Sequence, residues 1–162
     1  MIVVTAAAPR DTDAIADLID ELDRFYGATE IEARATRLPQ IKAALFSAPP
    51  AAYGLLAWDG ERLVGLAAYS FLWPAEGVTS SLFLKELYVA QSHRRQGVGK
   101  LLMQCVCQLA TDNQCSRVEW VTDEGNADAQ RFYEELRAPR YAAKVFYRLE
   151  GAQLARLASD RE

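Results

Sequence analysis

Ser81-Leu82-Phe83-Leu84-Lys85-Glu86-Leu87-Tyr88-Val89-Ala90-Gln91-Ser92-His93-Arg94-Arg95-Gln96-Gly97-Val98-Gly99-Lys100 is the stretch on which the fold turns. Its first half, Ser81 to Ala90, is rich in leucine, aromatic and β-branched residues and reads as a strand. Its end opens a helix over Gly97 to Asp112, where Val98, Leu101, Leu102, Cys105, Val106 and Leu109 recur at helical spacing. Between the two lie Arg94, Arg95 and Gln96, then two glycines at spacing two, then Lys100. The first amides of a helix have no intrahelical acceptor and sit at the positive end of the helix dipole, so they suit an anion. Side chains at Gly97 or Gly99 would hold a phosphate away from the backbone, and Arg94 and Arg95 can add charge-assisted hydrogen bonds. The alternative is a plain surface turn with a solvated helix start. A nucleoside-triphosphate loop of the Gly-x-x-x-x-Gly-Lys-Ser/Thr type does not fit, because Arg94 stands at its first glycine and Leu101 at its Ser/Thr, and the three-glycine dinucleotide fingerprint fails at Leu102. The pattern indicates a small ligand carrying a diphosphate.

Upstream, Ile2-Val3-Val4 reads as a short strand. Asp11 or Thr12 can cap a helix with Ile15, Leu18, Ile19, Leu22 and Phe25 on one face, stopped at Gly27. A second helix is expected to start near Pro39 and to end at Pro49-Pro50. Ala51 to Trp58 and Glu61 to Phe71 flank Asp59-Gly60, the signature of an antiparallel hairpin. Downstream, Arg117 to Thr122 reads as a strand, Ala127 to Leu136 as a helix after Asn126, Val145 to Leu149 as a strand and Ala152 to Ala158 as a short helix. The order implies a mixed α/β fold, one sheet covered by helices, in a single domain over residues 1–162.

Composition removes several functions. The net charge of −4 lacks the broad basic surface that nucleic acid demands. Apolar runs such as Ala43 to Phe46 and Leu63 to Ala68 fall far short of the about 20 residues that span a bilayer, and Met1 to Thr5 lacks the features of a secretion signal. A cytoplasmic protein is expected. Cys105, Cys107 and Cys115 are an odd set in or just after one helical stretch, which fits reduced core thiols. With one histidine, His93, and no Cys-x-x-Cys pair, no metal site is expected.

The segment Arg94 to Gly99 resembles the Arg/Gln-x-x-Gly-x-Gly/Ala motif of GNAT N-acetyltransferases, and Asn126-Ala127-Asp128-Ala129-Gln130-Arg131-Phe132-Tyr133 resembles that superfamily's later Asn-x-x-Ala-x-x-Phe-Tyr segment. Leu18 to Leu22, Leu84 to Val89 and the tail from Phe146 through Ala158 are similar to the spermidine/spermine (diamine) and thialysine acetyltransferase group. The resemblance implies a mixed, mostly antiparallel sheet with splayed central strands, flanked by about four helices. It implies acetyl-CoA as cofactor, with the backbone of Leu87, Tyr88 and Val89 pairing with the pantetheine arm, the loop Arg94, Arg95, Gln96, Gly97, Val98, Gly99 and Lys100 holding the pyrophosphate, and Asn126 touching pantetheine from the other side. A homodimer is implied as well, with Tyr141 to Ala158 as its interface.

Acetyl transfer to an amine needs a base for the ammonium proton and an acid for the departing thiolate. Tyr133, matching the family tyrosine near the coenzyme sulfur, is the expected acid. Glu86 is the expected base, sharing by strand parity a face with Leu84 and Tyr88, its alternative being an ordinary strand-edge carboxylate. Lys85 stands where polyamine acetyltransferases carry an acid, and Arg137-Ala138-Pro139 replaces the glycine that follows the Phe-Tyr helix. Lys85 beside Glu86 would suit an acceptor bearing both amine and carboxylate, whereas the family group points to polyamines or diamines. Tyr26, Glu30, Glu32 and Trp73 are candidate acceptor walls, the bland reading being solvated acids and an aromatic plug. His93 reads as loop scaffolding or a phosphate neighbour. A larger acyl-CoA, a carrier-protein thioester or a non-catalytic acyl-CoA sensor are the alternatives to acetyl transfer onto a small-molecule amine.

Overall fold

The computed structural model describes residues 1–159, which divide into two compact units, Met1–Asp123 and the residues from Glu124 onward. The first unit holds a five-stranded sheet with strands in chain order: β1 (Ile2–Ala6), β2 (Tyr53–Asp59), β3 (Arg62–Leu72), β4 (Ser81–Val89) and β5 (Arg117–Glu119). The first three pairings are antiparallel and β4 with β5 is parallel, so the sheet is mixed and mostly antiparallel. Asp59 and Gly60 make the turn between β2 and β3, with Gly60 at the positive φ of 59° that a tight turn requires.

Two features of β4 shape everything downstream. First, its pairing with β5 stops after Ser81, Leu82 and Phe83, so the two strands part and residues 84–89 keep an unpaired edge on that side. This is the expected splay. Second, Leu84 lies opposite Tyr69 but Glu86 lies opposite Ala68, which leaves Lys85 as the extra residue of a β-bulge. Directly opposed residues share a face. The register therefore places Glu86 with Tyr88 and Leu66, and Leu84 with Leu87 and Val89. Glu86 does share a face with Tyr88 as parity counting predicts, but not with Leu84, because the inserted residue shifts the alternation by one.

Helix α1 (Thr12–Phe25) covers the Tyr88 face, burying Ile15, Leu18 and Leu22, positions one helical stripe apart. Asp11 precedes it, and its carboxylate accepts from the Ala8 N–H at 2.8 Å. Helix α2 (Arg34–Phe46) begins five residues before the expected start, with Pro39 inside it. An interior proline removes one hydrogen bond. Here α2 buries only Ile41 and is tied to α1 by charge: Arg37 donates to Asp20 at 2.8 Å and to Asp23 at 2.6 Å, and Arg34 pairs with Asp13 and Asp17. Helix α3 (Val98–Asp112) packs on the opposite face, with Val98, Leu102, Met103 and Val106 buried.

The second unit contains α4 (Ala127–Glu135) and α5 (Gly151–Ser159). The side-chain oxygen of Asn126 caps α4, accepting from the Ala129 N–H at 3.1 Å. At the other end Arg137 takes the left-handed φ of 58° that glycine occupies most easily, with Arg137 N–H on the Glu134 carbonyl and Ala138 N–H on the Tyr133 carbonyl, a Schellman stop. The helix thus ends as a glycine would end it, without the glycine. The expected strand over Val145 to Leu149 is not formed, and Val145, Phe146, Tyr147 and Leu149 are all exposed. Strand propensity becomes a strand only against a pairing edge, and this segment has none among the described residues. No described helix is long and apolar enough to cross a membrane, and no described group of His, Cys, Asp or Glu could hold a metal ion.

Gly65 on β3 is where α3 packs closely on the sheet. A Cβ there would meet Leu102 at 3.0 Å, Val98 at 3.1 Å and Ala57 at 3.3 Å. Overpacking of this kind costs about 1–3 kcal/mol. Leu102 and Val98 are themselves fully buried and have little room to give, so Gly65→Ala is expected to lower the melting temperature by roughly 2–12 °C, measured by circular dichroism; an unchanged melt would contradict the packing described.

Candidate active site

The loop between β4 and α3 is built to leave donors exposed. Ala90 is extended, Gln91–His93 form one 3-10 turn, and Arg95 and Gly97 both take positive φ, at 63° and 83°. Gly97 occupies the N-cap position of α3 with no side chain capping the helix. The first main-chain bond of the helix runs from the Leu101 N–H to the Gly97 carbonyl at 3.0 Å, so the amides of Val98, Gly99 and Lys100 precede the ladder. An uncapped helix start of this kind, with Arg95 and Lys100 exposed beside it, fits an anionic group. Open space surrounds the position of a Gly97 Cβ, so glycine is required there by its backbone angle rather than by crowding.

The loop's other polar side chains hold the loop itself. Gln96 donates to the Ser92 carbonyl at 3.0 Å. His93 lies 3.5 Å from the Asp59 carboxylate at the hairpin turn, and its other ring nitrogen is 2.8 Å from the Ser92 hydroxyl, which bears out scaffolding. Arg94 folds back: its Nε donates to the Val89 carbonyl at 3.1 Å, and its guanidinium sits 4.2 Å from the centre of the Phe25 ring and 5.3 Å from that of Tyr88. Of the paired arginines, Arg95 is the exposed one.

Beside this loop, Glu86 is largely buried on the α1 face of β4. Burial is the main cause of its raised pKa, opposed by the Leu87 backbone N–H and the Lys85 charge and reinforced by Asp123 and Asp23. A carboxylate lifted in this way holds a proton more tightly than an ordinary glutamate, as a base does. Tyr26, just after α1, has its pKa raised by burial first and then by Glu86 and Asp123, so its phenol lies in their field. The structure thus gathers Tyr26, Lys85 and Glu86. Glu32 accepts from Gln40 at 3.4 Å and feels Arg37, which ties it to α2. Glu30 is exposed, and Trp73, 68% exposed, donates its indole N–H to the Val78 carbonyl at 2.9 Å, bracing its own loop rather than plugging the core.

In the second unit, Asn126 spends its side-chain oxygen on capping α4, and Tyr133 is half-buried on that helix with its ring centre 5.2 Å from that of Phe132. Sequence reading passed over Glu21, whose Oε1 accepts from the Tyr88 hydroxyl at 3.1 Å and from the Gln91 N–H at 2.8 Å, and over Asp123. For neither did spacing carry a signal, since both act across elements distant in sequence.

Residues 15–137, well over half the chain, match the model of the Acetyltransferase (GNAT) family. The chain belongs to that family. It is an acyltransferase, and acetyltransferases of this family take their acyl group from acetyl-CoA. Relatives by sequence include L-ornithine N5-acetyltransferase NATA1 of Arabidopsis thaliana, 29% identical over 51% of this chain but only 36% of the plant protein's length. D-amino-acid N-acetyltransferase HPA3 of Saccharomyces cerevisiae is 29% identical over 93% of this chain and 91% of its own. Thialysine N-epsilon-acetyltransferase of Caenorhabditis elegans is 24% identical over 68% of this chain and 70% of its own, in line with the group expected from sequence. Among solved structures, an integron cassette protein of V. cholerae superposes with a TM-score of 0.91 at 24% identity, covering 98% of both chains, which shows the shared fold.

The electrostatics of Glu86 can be checked by site-resolved carboxyl NMR titration. Lys85→Ala is expected to raise the Glu86 pKa further, by removing a charge that lowers it, and Asp123→Asn to lower it. Opposite signs, or no movement in either variant, would contradict the arrangement.

Proposed function

We propose that this GNAT acetyltransferase acetylates the primary amine of a small acceptor that also carries a carboxylate, an amino acid or a modified one. The observation that carries the reading is the bulge at Lys85. It sets a cationic side chain next to Glu86 on a strand that Tyr26 also approaches, within range for the Lys85 charge to act on the Glu86 carboxyl. An ammonium suits Glu86 and a carboxylate suits Lys85, whereas a polyamine would meet repulsion there. The relatives' names point the same way, since ornithine, D-amino acids and thialysine each bear both groups.

Acetyl-CoA, when bound, supplies the acetyl thioester. The Val98, Gly99 and Lys100 amides, with Arg95 and Lys100 as cations, suit its diphosphate, and the open edge of β4 at Leu87 to Val89 suits the amides of a pantetheine arm. Glu86 takes the proton of the incoming ammonium at its carboxylate, leaving the amine lone pair for direct attack in a ternary complex. Tyr133 holds a phenolic proton, reference pKa near 10, to place on a departing thiolate. Asn126, its oxygen engaged in capping, offers its amide NH2 to the cofactor arm. We further propose a homodimer, supported by the exposed apolar row Tyr141, Val145, Phe146, Tyr147, Leu154 and Leu157 in the second unit; light scattering showing a monomer at all concentrations would overturn it.

The test is thiol release from acetyl-CoA with matched panels of amino acids and polyamines. Amino acids are expected to be the better acceptors, and Lys85→Glu is expected to shift preference toward polyamines by about tenfold or more in kcat/KM. Glu86→Gln should lower kcat by roughly 10²–10⁴ and flatten the acid limb of the pH profile, since rate rises with pH as the raised Glu86 carboxyl loses its proton. Polyamine preference in the unaltered enzyme, or a Lys85→Glu variant with unchanged selectivity, would sink the acceptor assignment.

A further inference from the structure

We infer that Glu21, on helix α1, is a positioning residue for the cofactor loop, coupling the helix on the acceptor face of β4 to the turn that precedes the phosphate amides. This rests on the proposal that the Arg94 to Lys100 loop holds the diphosphate of acetyl-CoA. One carboxylate oxygen of Glu21 receives two donors from two different pieces of chain: the Tyr88 hydroxyl near the end of β4 at 3.1 Å, and the main-chain N–H of Gln91, first residue of the 3-10 turn, at 2.8 Å. Tyr88 and Phe25, one helical turn beyond Glu21, present the two rings against which Arg94 lies, and the Arg94 Nε closes the circuit on the Val89 carbonyl. Burial, the hydrogen bond to Glu21 and its negative charge all hold the Tyr88 phenol above its ordinary pKa, which keeps it a donor toward that carboxylate.

The consequence is mechanical. Removing the Glu21 carboxylate leaves the Gln91 N–H and the Tyr88 hydroxyl without the acceptor that ties them to α1, and loosens the backbone leading to Gly97. Both bonds hold the Glu21 carboxylate at the end of β4 and the start of the 3-10 turn, the segment that leads into the loop. Its contribution therefore falls on cofactor affinity, through the geometry of the first-turn amides. Charge-assisted bonds to a main-chain donor are worth enough for a measurable change in binding.

Calorimetry with CoA as the probe tests this on the intact chain. Glu21→Ala is expected to weaken CoA binding about five- to tenfold, while Glu21→Gln, whose amide oxygen can accept both donors, stays within about twofold of the unaltered protein. A second variant removes the donor instead of the acceptor: Gln91→Pro deletes the N–H and exchanges an exposed side chain for the proline ring, at a first helical position where proline is tolerated, and Ala90 before it already has the extended ψ of 137° that a following proline demands. It should weaken CoA roughly two- to fivefold, and it decides the matter should Glu21→Ala fail to fold. Unaltered protein that binds CoA, with Gln91→Pro and any folded Glu21→Ala binding it equally well, would overturn the role of Glu21 alone. An unaltered protein that gives no heat with CoA would overturn the cofactor-loop reading as well.

Discussion

A single strand, β4, is paired along one edge and left without a strand partner over two thirds of the other, and the rest of the first unit is arranged around that asymmetry. Backbone N–H and C=O groups left without partners are costly when dry and seek hydrogen bonds. After Phe83, β4 keeps β3 on one side and loses β5 on the other. The resulting slot ends at a helix whose first amides precede the helical ladder. On the proposed reading, a ligand with an amide-bearing arm and a diphosphate head would meet both at once, which is the chemistry of coenzyme A.

The bulge at Lys85 gives the same strand a second use. By inserting one residue, it turns Glu86 and Tyr88 to the α1 face and leaves Leu84, Leu87 and Val89 on the other. Were the strand regular through Lys85, with every residue paired in turn, Glu86 would fall on the same face as Leu84. With it, a raised carboxyl and a lysine stand together where α1 delivers Tyr26. Bulges commonly re-aim a side chain beside a site of chemistry, and this one sets the Glu86 carboxyl and the Lys85 cation side by side.

Much of this was legible from local chemistry. Asp59-Gly60 announced its hairpin, Gly97 its helix start, and Asn126 with Phe132 and Tyr133 the helix that follows. What escaped was long-range. Strand parity assumes one residue per step, and only the pairing with β3 reveals that Lys85 breaks the count. Arg94 reads as a phosphate ligand from its place in the loop, and nothing in its sequence neighbourhood shows that Phe25, far earlier in the chain, offers a ring to it. Pro39 suggested a helix start on local grounds, while Arg34 and Arg37 reach aspartates of α1 that compensate for an interior proline. Val145 to Leu149 has the composition of a strand and lacks the edge that would make it one.

The central claim is that the open edge of β4 and the first turn of α3 form one continuous cofactor surface. Amide chemical-shift mapping during titration with CoA addresses it residue by residue. The account predicts that the largest changes fall on Leu84 to Val89 and on Gly97 to Lys100, with the β1 and β2 amides silent. Saturable binding whose shifts avoid both segments would contradict it.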